Sequence, residues 1–91
     1  MEKKRRKRTP LAAARYAAGF TQADVAEAIG MTVTTVHVIE NRPQDCSDRA
    51  VMKFIDVLPG NTEGLKRWVF DVKMRKRQRQ LERSFGEHAQ V

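Results

Sequence analysis

Cys46 is the only cysteine in the 91 residues, so there is no disulfide framework and no zinc site built on thiolates. Long apolar runs are missing too, and nothing approaches the roughly 18 residues of a membrane span. The N-terminus is charged and no apolar stretch follows it, so no secretory leader is expected. Aromatic residues make up only 7%, which limits the core and argues against the stacking platforms of single-stranded RNA binders. The two histidines, His37 and His88, have no companions at ligand spacing, so no metal is expected. No serine–histidine–acid set, no paired carboxylates and no glycine-rich phosphate loop stands out, so neither an enzyme nor a cofactor is expected. A reducing cytoplasm is the expected setting.

What is abundant is positive charge. The formal net charge is +7 and the pI is near 10.2, which points to a polyanionic partner. The excess sits at the two ends. Lys3, Lys4, Arg5, Arg6, Lys7 and Arg8 form an unbroken basic arm, too self-repulsive to fold by itself. A second block, "KMRKRQRQLER", covers Lys73 to Arg83. Between them, residues 11–58 carry Arg15, Arg42, Arg49 and Lys53, with His37 as an occasional fifth, against six carboxylates.

Every segment with a clear period reads as helix, and no strand pattern or repeat is present. Thr9-Pro10 is a helix start, and Gly19 ends that helix in a left-handed cap. Thr21 with Asp24 is a capping-box-like start for a second helix, whose inward stripe is Val25, Ala26 and Ile29. Gly30 stops it, and Thr32 caps a third helix. There Val36, Ile39 and the aliphatic part of Glu40 form one face, while Val33, Thr34, His37 and Val38 form another. "NRPQDCS" reads as a loop; Asp45 and Asp48, on either side of Cys46, serve as caps, and Cys46 is an inert thiol. Ser47 or Asp48 starts a fourth helix from about Arg49 to Leu58, with Ala50, Val51, Phe54, Ile55 and Leu58 inward. "PGNT" breaks the chain, and a fifth helix is predicted from about Thr62 to Arg83.

The second and third helices, joined by a short turn with glycine at the first one's end, form a helix-turn-helix. The turn requires positive φ at Gly30, which costs a residue with a Cβ about 1 kcal/mol or more. β-Branched residues are indifferent helix formers, so the cluster Thr32 to Thr35 is not there for propensity. Short, stiff side chains let the backbone approach a surface closely. Their methyls can touch thymine methyl groups, and threonine hydroxyls can reach phosphates or base edges.

Residues 11–58 resemble the lambda-repressor/Cro-type (XRE-like) helix-turn-helix domain, through "R..AGFTQ..VA..IGMT..TVHVIEN", Ser47 and "AVMKFIDVL". The resemblance implies that Val33, Thr34, His37 and Val38 face base edges. It implies that Gln22 touches a phosphate and braces the recognition helix, that Thr32 is the hydroxyl N-cap and that Asn41 meets the DNA backbone; Thr32 and Thr35 are also expected at that backbone through their hydroxyls. It also implies a partly buried ion pair between Arg15 and Glu40. The glycine usual after Asn41 is replaced by Arg42 and Pro43, so that cap is atypical and Arg42 is a candidate phosphate contact. The reading face lacks the usual Gln, Arg or Lys, so base selection would lean on methyl contacts, water and DNA shape.

On the fifth helix Leu65, Trp68, Val69 and Val72 follow one stripe, expected to pack on the domain or a partner. Phe70, Met74 and Leu81 follow a second, and one helix at the edge of a small domain cannot usually bury both. A homodimer through this helix is expected, with Leu65, Trp68, Val69, Phe70, Val72 and Met74 at its interface. The expected architecture is all-α: a basic arm at 1–8, a compact five-helix lambda-repressor-like domain whose DNA-binding part spans 9–60, a dimerisation helix at 61–85 and a tail at 86–91. The function expected is a sequence-specific double-stranded DNA-binding transcriptional regulator, a repressor on a palindromic operator, cytoplasmic and carried by a bacterium, phage or plasmid. The alternative is an antitoxin that binds its own promoter and grips a toxin protein.

Overall fold

The computed structural model describes residues 8–89, and side chains as far as residue 84. Five helices follow one another, with no strand among the described residues: α1 (Pro10–Ala17), α2 (Gln22–Ile29), α3 (Val33–Asn41), α4 (Asp48–Asp56) and α5 (Glu63–Ala89). Each of the first four starts where a hydroxyl stands ready to cap it. Thr9, Thr21, Thr32 and Ser47 accept hydrogen bonds from the backbone N–H of Ala12, Asp24, Thr35 and Ala50 respectively. Around Thr21 the box closes both ways, because the Asp24 carboxylate accepts from the Thr21 N–H at 2.9 Å.

The stops are equally local. Gly30 sits at φ 70°, and the Met31 N–H reaches back to the Ala26 carbonyl at 2.9 Å, a Schellman closure. The Phe20 N–H does the same to Arg15 O across Gly19. The segment after α3 is not simply a loop. Asn41 belongs to the helix, and Pro43–Asp45 forms a 3-10 turn, since the proline ring presets φ at its first position. α4 ends at Asp56, before Leu58. Two tight turn bonds, Val57 N–H to Phe54 O and Leu58 N–H to Ile55 O, still carry Leu58 into the core.

α5 is longer than its sequence pattern suggests. It runs to Ala89, so residues 86–89, expected as tail, are helical. Gly86 costs such a helix only about 1 kcal/mol and does not stop it.

The core is one cluster in which α1 contributes Leu11, α2 Val25, Ala26 and Ile29, α3 Val36 and Ile39, and α4 Val51, Phe54 and Ile55. Val69 of α5 joins them, with Leu65 and Trp68 packed against the cluster. Each fully buried aliphatic or phenyl group contributes about 1.5–3 kcal/mol. This packing fixes α3 from behind and leaves its opposite side bare. No helix of the described residues is long and apolar enough to cross a membrane.

Candidate nucleic-acid interface

α3 is positioned by a buried carboxylate. Glu40 is 1% exposed in its last turn and forms an ion pair with Arg15 of α1, through Arg15 Nε to Oε2. Arg15 Nη2 lies 3.5 Å from Oε1, and its Nη1 donates to the Phe20 carbonyl at 2.7 Å. The side-chain amide of Gln22, the first residue of α2, donates to Glu40 Oε1 at 2.9 Å. The Thr9 hydroxyl donates to the Glu40 carbonyl at 2.6 Å. Three side chains, two from α1 and its cap and one from α2, thus converge on one residue, and among the described residues no buried side-chain polar atom lacks a partner. Removing Arg15 leaves the Glu40 carboxylate buried without its counter-charge, which makes the clamp strongly specified.

On the far side of α3, Val33, Thr34, His37 and Asn41 are exposed, and Val38 is half-buried against the domain. Val33 is 46% exposed, far too open for a core residue. Thr32 and Thr35 are tied to each other at the helix start, their hydroxyl oxygens 2.9 Å apart.

His37 is oriented by two amides. The Gln22 amide nitrogen is fixed by its bond to the Glu40 carboxylate, and the Asn41 amide nitrogen donates to the His37 carbonyl at 2.8 Å. Both nitrogens lie 3.4 Å from His37 Nδ1. These two contacts hold the ring beside Gln22 and Asn41, and its other edge is open to a partner.

Arg42 ends α3 and is exposed, while its Nε bonds Asp45 Oδ2 at 2.8 Å, so this candidate phosphate contact is already oriented by a carboxylate. Lys76 of α5 bonds the same Asp45 at 2.5 Å, and that ammonium holds the Asp45 carboxyl below its ordinary range. Burial pushes the Cys46 thiol up.

Of the basic arm, Arg8 is described: its guanidinium lies 4.2 Å from the centroid of the Tyr16 ring, a cation–π contact. Lys3, Lys4, Arg5, Arg6 and Lys7 lie outside the described residues. Among the residues expected at a dimer interface, Val69 is buried in the chain's own core, Leu65 and Trp68 pack against it, and Val72 is half-buried. Their spacing turns them inward, so Phe70 and Met74, with Leu81, are the exposed large apolar side chains of α5 among the described residues.

Sequence reasoning missed several contacts. Lys73 Nζ donates to the Cys46 carbonyl at 2.6 Å and pairs with Asp48 at 3.0 Å, and with Lys76 it pins α5 to the loop after α3. The only available signal was a run of cations opposite two loop aspartates. Nothing local foretold the bond of Thr9 to the end of α3.

A helix-turn-helix family model matches residues 11–65. Neither the curated proteins nor the solved structures compared with the chain gave a match. The match takes in the first four helices, the Glu40 clamp and the start of α5, and the chain belongs to the lambda-repressor-type (XRE-like) helix-turn-helix family of DNA-binding transcription regulators.

Proposed function

We propose that this chain is a sequence-specific repressor that binds a palindromic operator as a homodimer and acts by occupying a promoter. The observation that carries the reading is the contrast between the two sides of α3. One side is locked by Glu40, Arg15 and Gln22, and the other presents Val33, Thr34 and His37 exposed among the described residues. Val33, Thr34, His37 and Val38 read the base edges in the major groove. Gln22, Thr32, Thr35, Asn41, Arg42 and the arm at residues 3–8 take backbone phosphates.

Phe70, Met74 and Leu81, at 61%, 42% and 53% exposure, are the part of α5 that a second copy covers. A two-fold pair would set two recognition helices about 34 Å apart, one turn of DNA. The same stripe supports a second reading, an antitoxin whose α5 holds a toxin, which co-purification of a stable protein partner would favour.

Selection of bound sequences from a random duplex pool tests the main reading. An enriched inverted repeat with half-sites one turn apart is the expected result. Tight binding with no enrichment would overturn sequence-specific repression.

A further inference from the structure

Beside the C-terminal end of α3, the 3-10 turn and the outer half of α5 enclose an open cleft of about 360 Å³. Its lining includes Arg42, Asp45, Arg75, Lys76, Arg79 and Arg83, five cations against a single carboxylate. That carboxylate is already committed to Arg42 and Lys76. Arg75, Arg79 and Arg83 have no carboxylate partner among the described residues. They stand four residues apart on one ridge, about 6 Å from one to the next along the axis.

The inward stripe of α5 thus changes character along its length. Leu65, Trp68 and Val69 meet the core, and beyond Val72 the same side carries guanidinium groups. Like charges at this spacing repel and weaken a helix. Lys73 and Lys76 nonetheless anchor the ridge in place, through Cys46 O, Asp48 and Asp45.

We infer that this cleft seats phosphates of the DNA backbone beside the half-site, so that α5 is a second DNA-contacting element as well as the candidate dimer helix. The inference rests on the DNA-binding reading above. The cleft begins at Arg42, the residue that ends the recognition helix, so the two surfaces adjoin. Three of its cations, Arg75, Arg79 and Arg83, lie in a row along the helix, which suits a strand of phosphates better than a small anion. Guanidinium forks match phosphate oxygens bidentately and keep their charge at any working pH.

The test uses the full chain, a mixed-sequence duplex and a series of salt concentrations. Each phosphate released from contact flattens the plot of log affinity against log salt by about 0.9. The triple variant Arg75→Gln, Arg79→Gln, Arg83→Gln is expected to lose about 2–3 from that slope. The triple lysine variant, which keeps the charge, should retain most of it. Lys53→Gln with Arg67→Gln removes charge from exposed positions outside the cleft and should leave the slope nearly unchanged. Circular dichroism on each variant confirms that the helices are kept.

A glutamine triple variant that keeps the wild-type slope, or a control pair that loses as much per charge, overturns the cleft inference and leaves DNA binding standing. A wild-type chain that binds no duplex overturns both.

Discussion

Gln22 and Glu40 are joined by a hydrogen bond of 2.9 Å, from the amide at the start of α2 to the carboxylate at the end of α3. The same amide nitrogen lies 3.4 Å from His37 on the exposed side of α3. One side chain therefore touches both the buried clamp and the candidate reading face.

Breaking the clamp should cost stability before it costs contact. Glu40→Ala leaves the Arg15 guanidinium, 13% exposed, without its partner, and Arg15→Ala leaves a buried carboxylate. Either is expected to lose about 3–5 kcal/mol in urea unfolding. Replacing both by methionine should recover most of that loss, because buried ion pairs exchanged for packed apolar groups are often neutral. A double variant as unstable as the sum of the singles would show that the pair is not coupled.

Gly30→Ala isolates backbone strain. A Cβ there meets nothing within 4 Å, so only the φ of 70° is at issue. The expected loss is about 1 kcal/mol, with Gly30→Asn losing less. A much larger loss on thermal unfolding would mean that the turn is crowded.

His37→Ala should relax base preference at one operator position, by about 1 kcal/mol for a single lost hydrogen bond. Gln22→Ala should blur the same position, because it removes one of the two amides that orient the ring. Comparing enriched sequences from the two variants decides this. Blurring at unrelated positions would sink the assignment.

Asp45 ties pH to the attachment of α5. Its folded-state carboxyl titrates below the ordinary value because Lys76 hydrogen-bonds it. The stabilisation is therefore present above the unfolded-state pKa and disappears as pH falls through the lower, folded one. Asp45→Asn should be less stable than wild type at pH 7, and the difference should vanish at strongly acid pH in denaturant titrations. The same variant frees Lys76 and Arg42 and should bind duplex more tightly at low salt.

Cys46 should resist alkylation. Burial raises its pKa, so less thiolate is present near neutral pH than for a free cysteine. Iodoacetamide labelling at pH 8 is expected to be slower than that of a cysteine-containing peptide, and to reach the peptide's rate once the protein is unfolded. Equal rates before unfolding would contradict the shift.

The parts of the fold that were legible are those settled within a turn or two of chain. Thr9, Thr21, Thr32 and Ser47 announce helix starts because a cap and its N–H are three residues apart, and Gly30 announces a stop because only its backbone accepts that φ cheaply. Val25, Ala26 and Ile29 read as buried because helical period alone aligns them. The outward face of α3 was legible for Val33, Thr34 and His37, but Val38 lies at its edge, where packing of the neighbouring helices decides exposure. The attachment of α5 was not legible. Lys73 reaches Cys46 across 27 residues and Lys76 reaches Asp45 across 31, and no local pattern encodes contacts at that separation. The cationic cleft follows from that attachment and was hidden with it.

Lys73 and Lys76 make α5 a handle on the segment that ends the recognition helix. Whatever grips the outer half of α5 pulls on residues 45–48, and through Arg42 on the C-terminus of α3. A partner that favours one setting of this segment changes the affinity for DNA by the same factor by which DNA changes the affinity for that partner. The two occupants are then linked through a few ammonium contacts at the surface, and salt that screens those contacts weakens the communication along with the binding.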